Sequence, residues 1–173
     1  GISGSTIYAG GAFTTIGGST RNRLAAIGTD GTLADWNPNA DGAVNALGIS
    51  GSTIYAGGDF TTVGGSTRNR LAAIGTDGTL TDWNPNANGG VRTLAVSGST
   101  VYVGGLFGNV GGSDRSRIAA IGADGVATGW DPTANGTVRT LALSGSTVYT
   151  GGDFTLIGGS ARNQLAALDT EDV

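Results

Sequence analysis

Alternating hydrophobic and polar residues recur in short stretches along the chain and predict β-strands. Residues 50–96 show the pattern clearly, with strands expected at residues 52–57, 70–74, 80–83 and 91–97. Glycine, asparagine and aspartate separate these stretches, as in the turn Thr76-Asp77-Gly78 and in a loop over residues 63–67. No window has the apolar spacing of a helix without an intervening glycine, so the pattern predicts an all-β protein.

The same pattern repeats almost residue for residue. Ser-Gly-Ser-Thr begins at Ser3, Ser50, Ser97 and Ser144, which are 47 residues apart. Every aromatic residue and every proline keeps this register. The chain, residues 1–173, is therefore interpreted as a single repeat array with units at residues 3–49, 50–96, 97–143 and, as a partial unit, 144–173.

Four short strands in each unit match one blade of a β-propeller, in which residues 91–97 would form the inner strand and the tryptophan segment the outer one. The chain would then hold about three and a half blades. A β-solenoid is the alternative, because stacked coils also repeat. A tyrosine before a Gly-Gly pair and a tryptophan after the next turn form a kelch-like order of landmarks, which favours blades.

The landmarks of each unit also carry a family resemblance. In the second unit they are Tyr55–Gly65, Arg68–Ala73, Asp77-Gly78 and Trp83–Val91. Along its whole length the chain resembles secreted bacterial and archaeal β-propeller repeats of unassigned function, of the delta-sixty type. The resemblance implies a propeller that is often part of a larger surface or secreted protein, and it implies no reaction.

The composition excludes most catalytic chemistry. There is no Cys, His, Lys or Met, and all nine basic residues are arginine. The chain therefore has no thiol or imidazole for catalysis or zinc binding, and no lysine for a Schiff base. We therefore expect that the protein is not an enzyme. A glycan hydrolase that uses aspartate pairs is the least favoured alternative. A net charge of −4 argues against nucleic acid as a partner, and no apolar run has the length of a membrane span.

The loop after each tryptophan is the first candidate site. Carboxylate and amide oxygens alternate there before a glycine, as in calcium-binding loops. The candidate ligands are Asp35, Asn37, Asn39 and Asp41 in the first unit and Asp82, Asn84 and Asn86 in the second. The favoured interpretation is that these side chains cap their own backbone in the turn between blades, and calcium binding is the alternative. Calcium is the one cofactor that the sequence suggests, and no other is expected.

Paired arginines are the second candidate. They lie two residues apart in the first three units: Arg21 and Arg23, Arg68 and Arg70, Arg115 and Arg117. On a strand, such residues share a face and could bind a carboxylated glycan or a phosphate. The favoured interpretation is that they pair with aspartates of the repeat, such as Asp59, Asp77, Asp124 and Asp153, and hold neighbouring blades in register.

The third unit stands apart from the others at Leu106, Gly108 and Asn109, among other positions. These lie around connecting loops, where binding specificity tends to reside. The chain is expected to be a non-enzymatic binding scaffold, outside the cell or at its surface, for a glycan or a protein. The alternative is a structural propeller that joins chains through open strand edges. The strands that would complete the partial fourth unit would come either from other copies in a homo-oligomer or from a longer propeller chain.

Overall fold

Strands and the turns between them make up the described chain. The computed structural model describes residues 1–171, which contain strands and no helix. The strands form four three-stranded antiparallel sheets that follow one another along the chain, and we call these sheets blades 1 to 4. The all-β fold predicted from the alternation of hydrophobic and polar residues is therefore confirmed.

The blades share one order of strands. Blade 1 contains β1 (Ile2–Ser3), β2 (Thr6–Gly10), β3 (Thr15–Ile16), β4 (Ser19–Thr20) and β5 (Leu24–Gly28). Blade 2 contains β6 (Val44–Ser50), β7 (Thr53–Gly58), β8 (Thr62–Val63), β9 (Ser66–Thr67) and β10 (Leu71–Gly75). Blade 3 contains β11 (Val91–Ser97), β12 (Thr100–Gly105), β13 (Asn109–Val110), β14 (Ser113–Asp114) and β15 (Ile118–Ile121). Blade 4 contains β16 (Val138–Ser144), β17 (Thr147–Gly152), β18 (Leu156–Ile157), β19 (Ser160–Ala161) and β20 (Leu165–Asp169).

In each blade the first, second and last of these strands form the sheet, and the two short strands form a separate hairpin. The second strand lies in the middle of the sheet, as β7 does between β6 and β10. The first strands β6, β11 and β16 pack against one another from blade to blade. They therefore line the inside of the array, in the position predicted for residues 91–97.

The hydrophobic core lies between the blades. Three clusters of buried residues join blade 1 to blade 2, blade 2 to blade 3, and blade 3 to blade 4. Each cluster contains a phenylalanine that is at most 1% exposed, namely Phe60, Phe107 or Phe154. Each also contains a tyrosine and a tryptophan packed edge to face, such as Tyr55 and Trp83 with ring centroids 5.1 Å apart. The blades consequently depend on their neighbours for burial, as repeat arrays do.

The outer edge of each blade is shorter than the sequence predicts. A strand was expected at residues 80–83, but only Leu80 pairs, through an isolated bridge to Ile74. The segment then leaves the sheet because the buried Trp83 turns to the next blade, where its indole N–H donates to the carbonyl oxygen of Gly122 at 2.9 Å. The fourth strand is therefore reduced to one residue.

Residues 63–67 form a hairpin turn and its flanks, where the sequence predicts a loop. Val63 pairs with Ser66 across the turn. Gly64 and Gly65 have positive φ angles of 59° and 78°, the combination that a two-residue hairpin turn of type I′ requires. Strands of two residues are too short to show alternation, so the pattern gave no sign of them.

The inner strand carries a bulge near its start. In β11 the register shifts between Val91 and Thr93, which leaves Arg92 outside the regular pairing with β12. The same shift occurs in blades 2 and 4. The predicted simple alternation along residues 91–97 is therefore broken at Arg92.

Candidate binding surface

The connections between strands are short at one end of the blades and long at the other. In blade 2 only residues 51–52 join β6 to β7, and residues 76–79 lead from β10 to the bridge at Leu80. At the opposite end, residues 59–70 join β7 to β10 and residues 81–90 lead to blade 3. We call this second end the loop end and the first the turn end. Because a rigid scaffold with long loops usually carries function on those loops, the loop end is the candidate surface.

In blades 1 to 3 a polar side chain of the tryptophan loop caps the backbone of the next blade, in addition to the indole bond and to backbone hydrogen bonds between the two blades. Asp41 accepts hydrogen bonds from the amides of Thr61 and Thr62 at 2.7 and 2.9 Å, and from the Thr61 hydroxyl at 2.6 Å. Asn88 and Asn135 accept from the corresponding amides of blades 3 and 4. These side chains therefore cap a neighbour's backbone and connect successive blades.

The carboxyl group of Asp41 makes this connection sensitive to pH in the first unit alone. Its partial burial would raise the pKa, but the Thr61 hydroxyl and the amides of Thr62 and Thr61 outweigh burial and lower it from 3.8 to about 2. The ionised form is thus bound in the folded protein. Its contribution to stability is complete above the ordinary pKa of 3.8 and is lost as the pH falls towards about 2.

We expect Asp41→Asn to remove this part of the acid sensitivity. Asn135 shows that an amide can serve, since its oxygen accepts from the amides of Thr155 and Leu156 and its Nδ2 lies 2.9 Å from the Thr155 hydroxyl. Urea unfolding at a series of pH values from neutral to pH 2 would measure it. The stability of the variant should fall less than that of the wild type below about pH 4. Parallel losses in the two proteins would contradict this assignment.

The proposed calcium ligands lie on the exposed side of the tryptophan loop. Exposed and buried residues alternate there, so the polar side chains Asp35, Asn37, Asn39 and Asp41 all face solvent, as do Asp82, Asn84 and Asn86. The Asn39 oxygen accepts from Asn22 at 2.8 Å, and the Asn86 oxygen accepts from Asn69 at 2.6 Å. Residues 1–171 contain no cluster of three or more acidic side chains that could hold a metal ion. Calcium binding stays a prediction.

The first arginine of each pair is tied to its own blade. Arg68 donates from Nη2 to the carbonyl oxygen of Thr81 at 2.7 Å and from Nη1 to that of Thr67 at 2.9 Å. Arg21 and Arg115 make the equivalent bonds. This arginine therefore holds the outer segment, which has lost most of its strand pairing, against the rest of the blade.

The second arginine of each pair does not share a strand face with the first. Arg70 precedes β10 and has a φ of 67°, and Arg23 and Arg117 have the same left-handed backbone. Arg117 donates to the carbonyl oxygen of Ala134 at 3.0 Å. The predicted placement on a strand was wrong, because the chain turns sharply between the hairpin and the third strand. The use of these six arginines as a ligand surface stays a prediction.

A different polar set lies at the loop end beside the inner strands. Asp59 accepts from Arg92 of blade 3 at 2.6 Å and from Asn45 of its own blade at 3.1 Å. In blade 4, Arg139 binds both carboxylate oxygens of Asp153, at 2.6 to 3.0 Å. Partial burial would raise the pKa of Asp59, but the hydrogen bonds from Asn45 and Arg92 lower it. The hydrogen bond from Arg139 lowers the pKa of Asp153.

Blade 3 lacks the acid of this set. Leu106 stands 47 residues after Asp59 and is 49% exposed. By the repeat, Arg139 should bridge to this position as Arg92 bridges to Asp59, but it binds Asp153 of its own blade instead. Leu106 was predicted as a position where the third unit differs from the others, whereas Arg92 and Arg139 were not predicted as site residues. Comparing the units position by position would have found them, because position 45 of the first unit is asparagine and its two later equivalents are arginine.

Comparisons with known proteins identify the repeats as propeller blades. Residues 6–33 and 53–80 match a family model described as a domain of unknown function (DUF5122), beta-propeller. Among solved structures, the chain is similar to the computationally designed Ika8 protein, with a TM-score of 0.55 and 15% identity, over 99% of this chain and 48% of that one. It also aligns with the computationally designed Ika4 protein, with a TM-score of 0.40 and 15% identity, over 75% of this chain and 92% of that one. No curated protein matches the sequence.

The family model and the similarity to Ika8 show that the chain folds as a β-propeller array, so the solenoid alternative is wrong. The chain spans about half the length of Ika8. Residues 1–171 include no helix with the length and apolar character of a membrane span.

Proposed function

We propose that this chain is a non-catalytic propeller scaffold whose loop end binds a protein partner. The observation that carries the proposal is the combination of an exposed Leu106 with the arginine that would face it in a regular repeat. Arg139 has a side chain that is 63% exposed, and Leu106 is 49% exposed. An exposed apolar side chain and an exposed guanidinium at the same end of the array suit a peptide segment that carries an apolar residue next to a carboxylate.

The charges around this position support the same class of ligand. Arg139 holds Asp153 on the surface, where an exposed ion pair contributes little to stability and can be exchanged for another carboxylate. Arg92, in contrast, donates to Asp59 of blade 2, which also binds Asn45, and only 33% of its side chain is exposed. Arg139 is therefore the arginine that a ligand's carboxylate would engage.

The proposal includes no catalytic role because of the pKa values of three aspartates at the loop end. A carboxyl group that acts as a general acid near neutral pH needs a raised pKa. Asp41 and Asp59 have lowered pKa values because hydrogen bonds to the ionised form outweigh their partial burial, and the hydrogen bond from Arg139 lowers the pKa of the exposed Asp153. These carboxylates suit binding and capping. The resemblance to secreted propeller repeats of the delta-sixty type supports a location outside the cell or at its surface.

Selection of peptides on the immobilised protein would test the proposal. We expect a random peptide library to yield binders that carry an acidic residue beside an apolar one. Arg139→Glu should weaken these binders by more than about tenfold, since it places like charges together. Leu106→Asp should weaken them as well, because it places an acid at the position equivalent to Asp59 and so offers Arg139 a second intramolecular carboxylate besides Asp153.

Val126→Thr provides the matched control. Val126 is an exposed apolar residue at the turn end, and threonine already occupies the equivalent position at Thr79. This variant should bind the selected peptides as the wild type does. Failure to enrich any peptide, or binders that are indifferent to both loop-end substitutions, would sink the proposal. Binding of acidic glycans in place of peptides would replace it by the glycan alternative.

A further inference from the structure

Each junction between two blades of this chain is built from the same two half-surfaces. The preceding blade presents a tyrosine of its middle strand together with a leucine or isoleucine and an alanine of its third strand. The branched residues Leu24, Leu71 and Ile118 are all 0% exposed. The following blade presents a branched residue of its middle strand and a phenylalanine, and Ile54, Val101 and Val148 are likewise 0% exposed. We call these two half-surfaces the preceding face and the following face.

Blade 4 has a preceding face that no other part of residues 1–171 covers. Leu165 is 73% exposed and Tyr149 is 51% exposed, although their equivalents in the other blades lie in the inter-blade core. Ala167 is exposed as well, whereas Ala26, Ala73 and Ala120 are 1% exposed. A shallow, mostly apolar cavity of about 420 Å³ lies on this face, between Thr140 of the inner strand and Leu165.

Blade 1 has a following face that is similarly uncovered. Ile7 is 36% exposed, while its three equivalents are completely buried. Phe13 and Ile16 are only partly buried, although the phenylalanines and branched residues at the equivalent positions of blades 2 to 4 are at most 1% exposed. The two open surfaces of the chain are therefore the two complementary halves of a junction that it already forms three times.

We propose that the open preceding face of blade 4 is a docking surface for blade 1 of a second copy of this chain. The open preceding face of blade 4 and the open following face of blade 1 carry the same residue classes at the same register positions as the faces that meet in the three junctions within the chain. The contact would be heterologous, head to tail, because two different faces meet. Blade 1 of the second copy would cover the face of the blade 4 sheet. The alternative predicted from the sequence was a different contact, in which chains pair through open strand edges.

Two single substitutions would separate the two faces. Leu165→Asp places a charge on the preceding face and Ile7→Asp places one on the following face, where burial without a partner is costly. Each variant should weaken self-association by more than about a hundredfold, measured as the concentration dependence of mass by light scattering or sedimentation. Val126→Asp, which adds the same charge at an exposed apolar residue outside both faces, should leave association unchanged.

Mixing the two variants gives the decisive arm. The Ile7→Asp protein keeps an intact preceding face and the Leu165→Asp protein keeps an intact following face, so the mixture should form a dimer through one good junction while neither variant does so alone. This recovery would also show that both variants fold. A wild-type mass that stays at the 16.9 kDa of one chain at every concentration would overturn the proposal. Dimerisation of either variant by itself would overturn it too, because the contact would then join two like faces. Neither face includes Leu106 or Arg139, so assembly and peptide binding can succeed or fail separately.

Discussion

Replacing Trp83 with alanine is expected to lower the free energy of unfolding by about 4 kcal/mol. The indole is 6% exposed, packs edge to face on Tyr55 and belongs to the core between blades 2 and 3. Its removal would leave a large cavity and take away one of the two hydrogen bonds that the carbonyl oxygen of Gly122 accepts, the other coming from the amide of Gly125. Urea unfolding followed by circular dichroism would measure the loss.

Trp83→Phe separates the two parts of this effect. Phenylalanine keeps most of the apolar volume and loses the bond to Gly122, so a loss of about 1 kcal/mol from that bond is expected, plus a smaller cavity term. Tyrosine offers a further comparison within the chain. Tyr55→Ala should be costly, whereas Tyr149→Ala should change stability little, because Tyr149 is 51% exposed. A loss below about 1 kcal/mol for Trp83→Ala would contradict the role given to the inter-blade core.

Gly105→Ala is expected to destabilise the fold by about 3 kcal/mol, at the upper end of what overpacking costs. A Cβ atom at Gly105 would overlap the carbonyl oxygen of Gly90 and lie 3.0 Å from the Cα atom of Val91. That carbonyl oxygen already accepts the amide of Leu106 at 2.8 Å. The obstacle is backbone at the bulge of the inner strand, so no side-chain rotation can relieve it.

Gly108→Ala is the matched control, three residues along the same blade. A Cβ atom there would come no closer than 3.9 Å to another group, the side-chain nitrogen of Asn88. Threonine occupies the equivalent position in the other three units, as at Thr61. We therefore expect this variant to be neutral or to gain about 0.5 kcal/mol from reduced freedom of the unfolded chain. Equal losses for the two glycines would mean that the close approach at Gly105 is not what limits the position.

The features that the sequence predicted well are those that one residue type determines locally. The Asp77-Gly78 turn is one case, since Gly78 has a φ of 88° and Asp77 binds the amide and hydroxyl of Thr79. The position of β7 is another, because tyrosine and branched residues alternate there with small ones. The register of the repeat then placed all four blades from the description of one.

The features that the sequence could not predict depend on contacts between blades. The outer strand is limited to a bridge at Leu80, because the indole of Trp83 donates a hydrogen bond to Gly122 in the next blade. The pairing of Asp59 with Arg92 joins residues 33 apart in different blades. Each of these outcomes requires the packing of two sheets, and a pattern confined to one unit does not contain it.

The bond from each tryptophan to the next blade also bears on how the chain is made. In blades 1 to 3 the indole donates to a carbonyl oxygen 39 residues further along, as from Trp36 to Gly75. On the ribosome, a blade that has just emerged therefore lacks its partner until most of another unit has been synthesised. Structure should advance in steps that lag translation by one unit. A paused ribosome would always hold one apolar blade face open to chaperones or to neighbouring nascent chains.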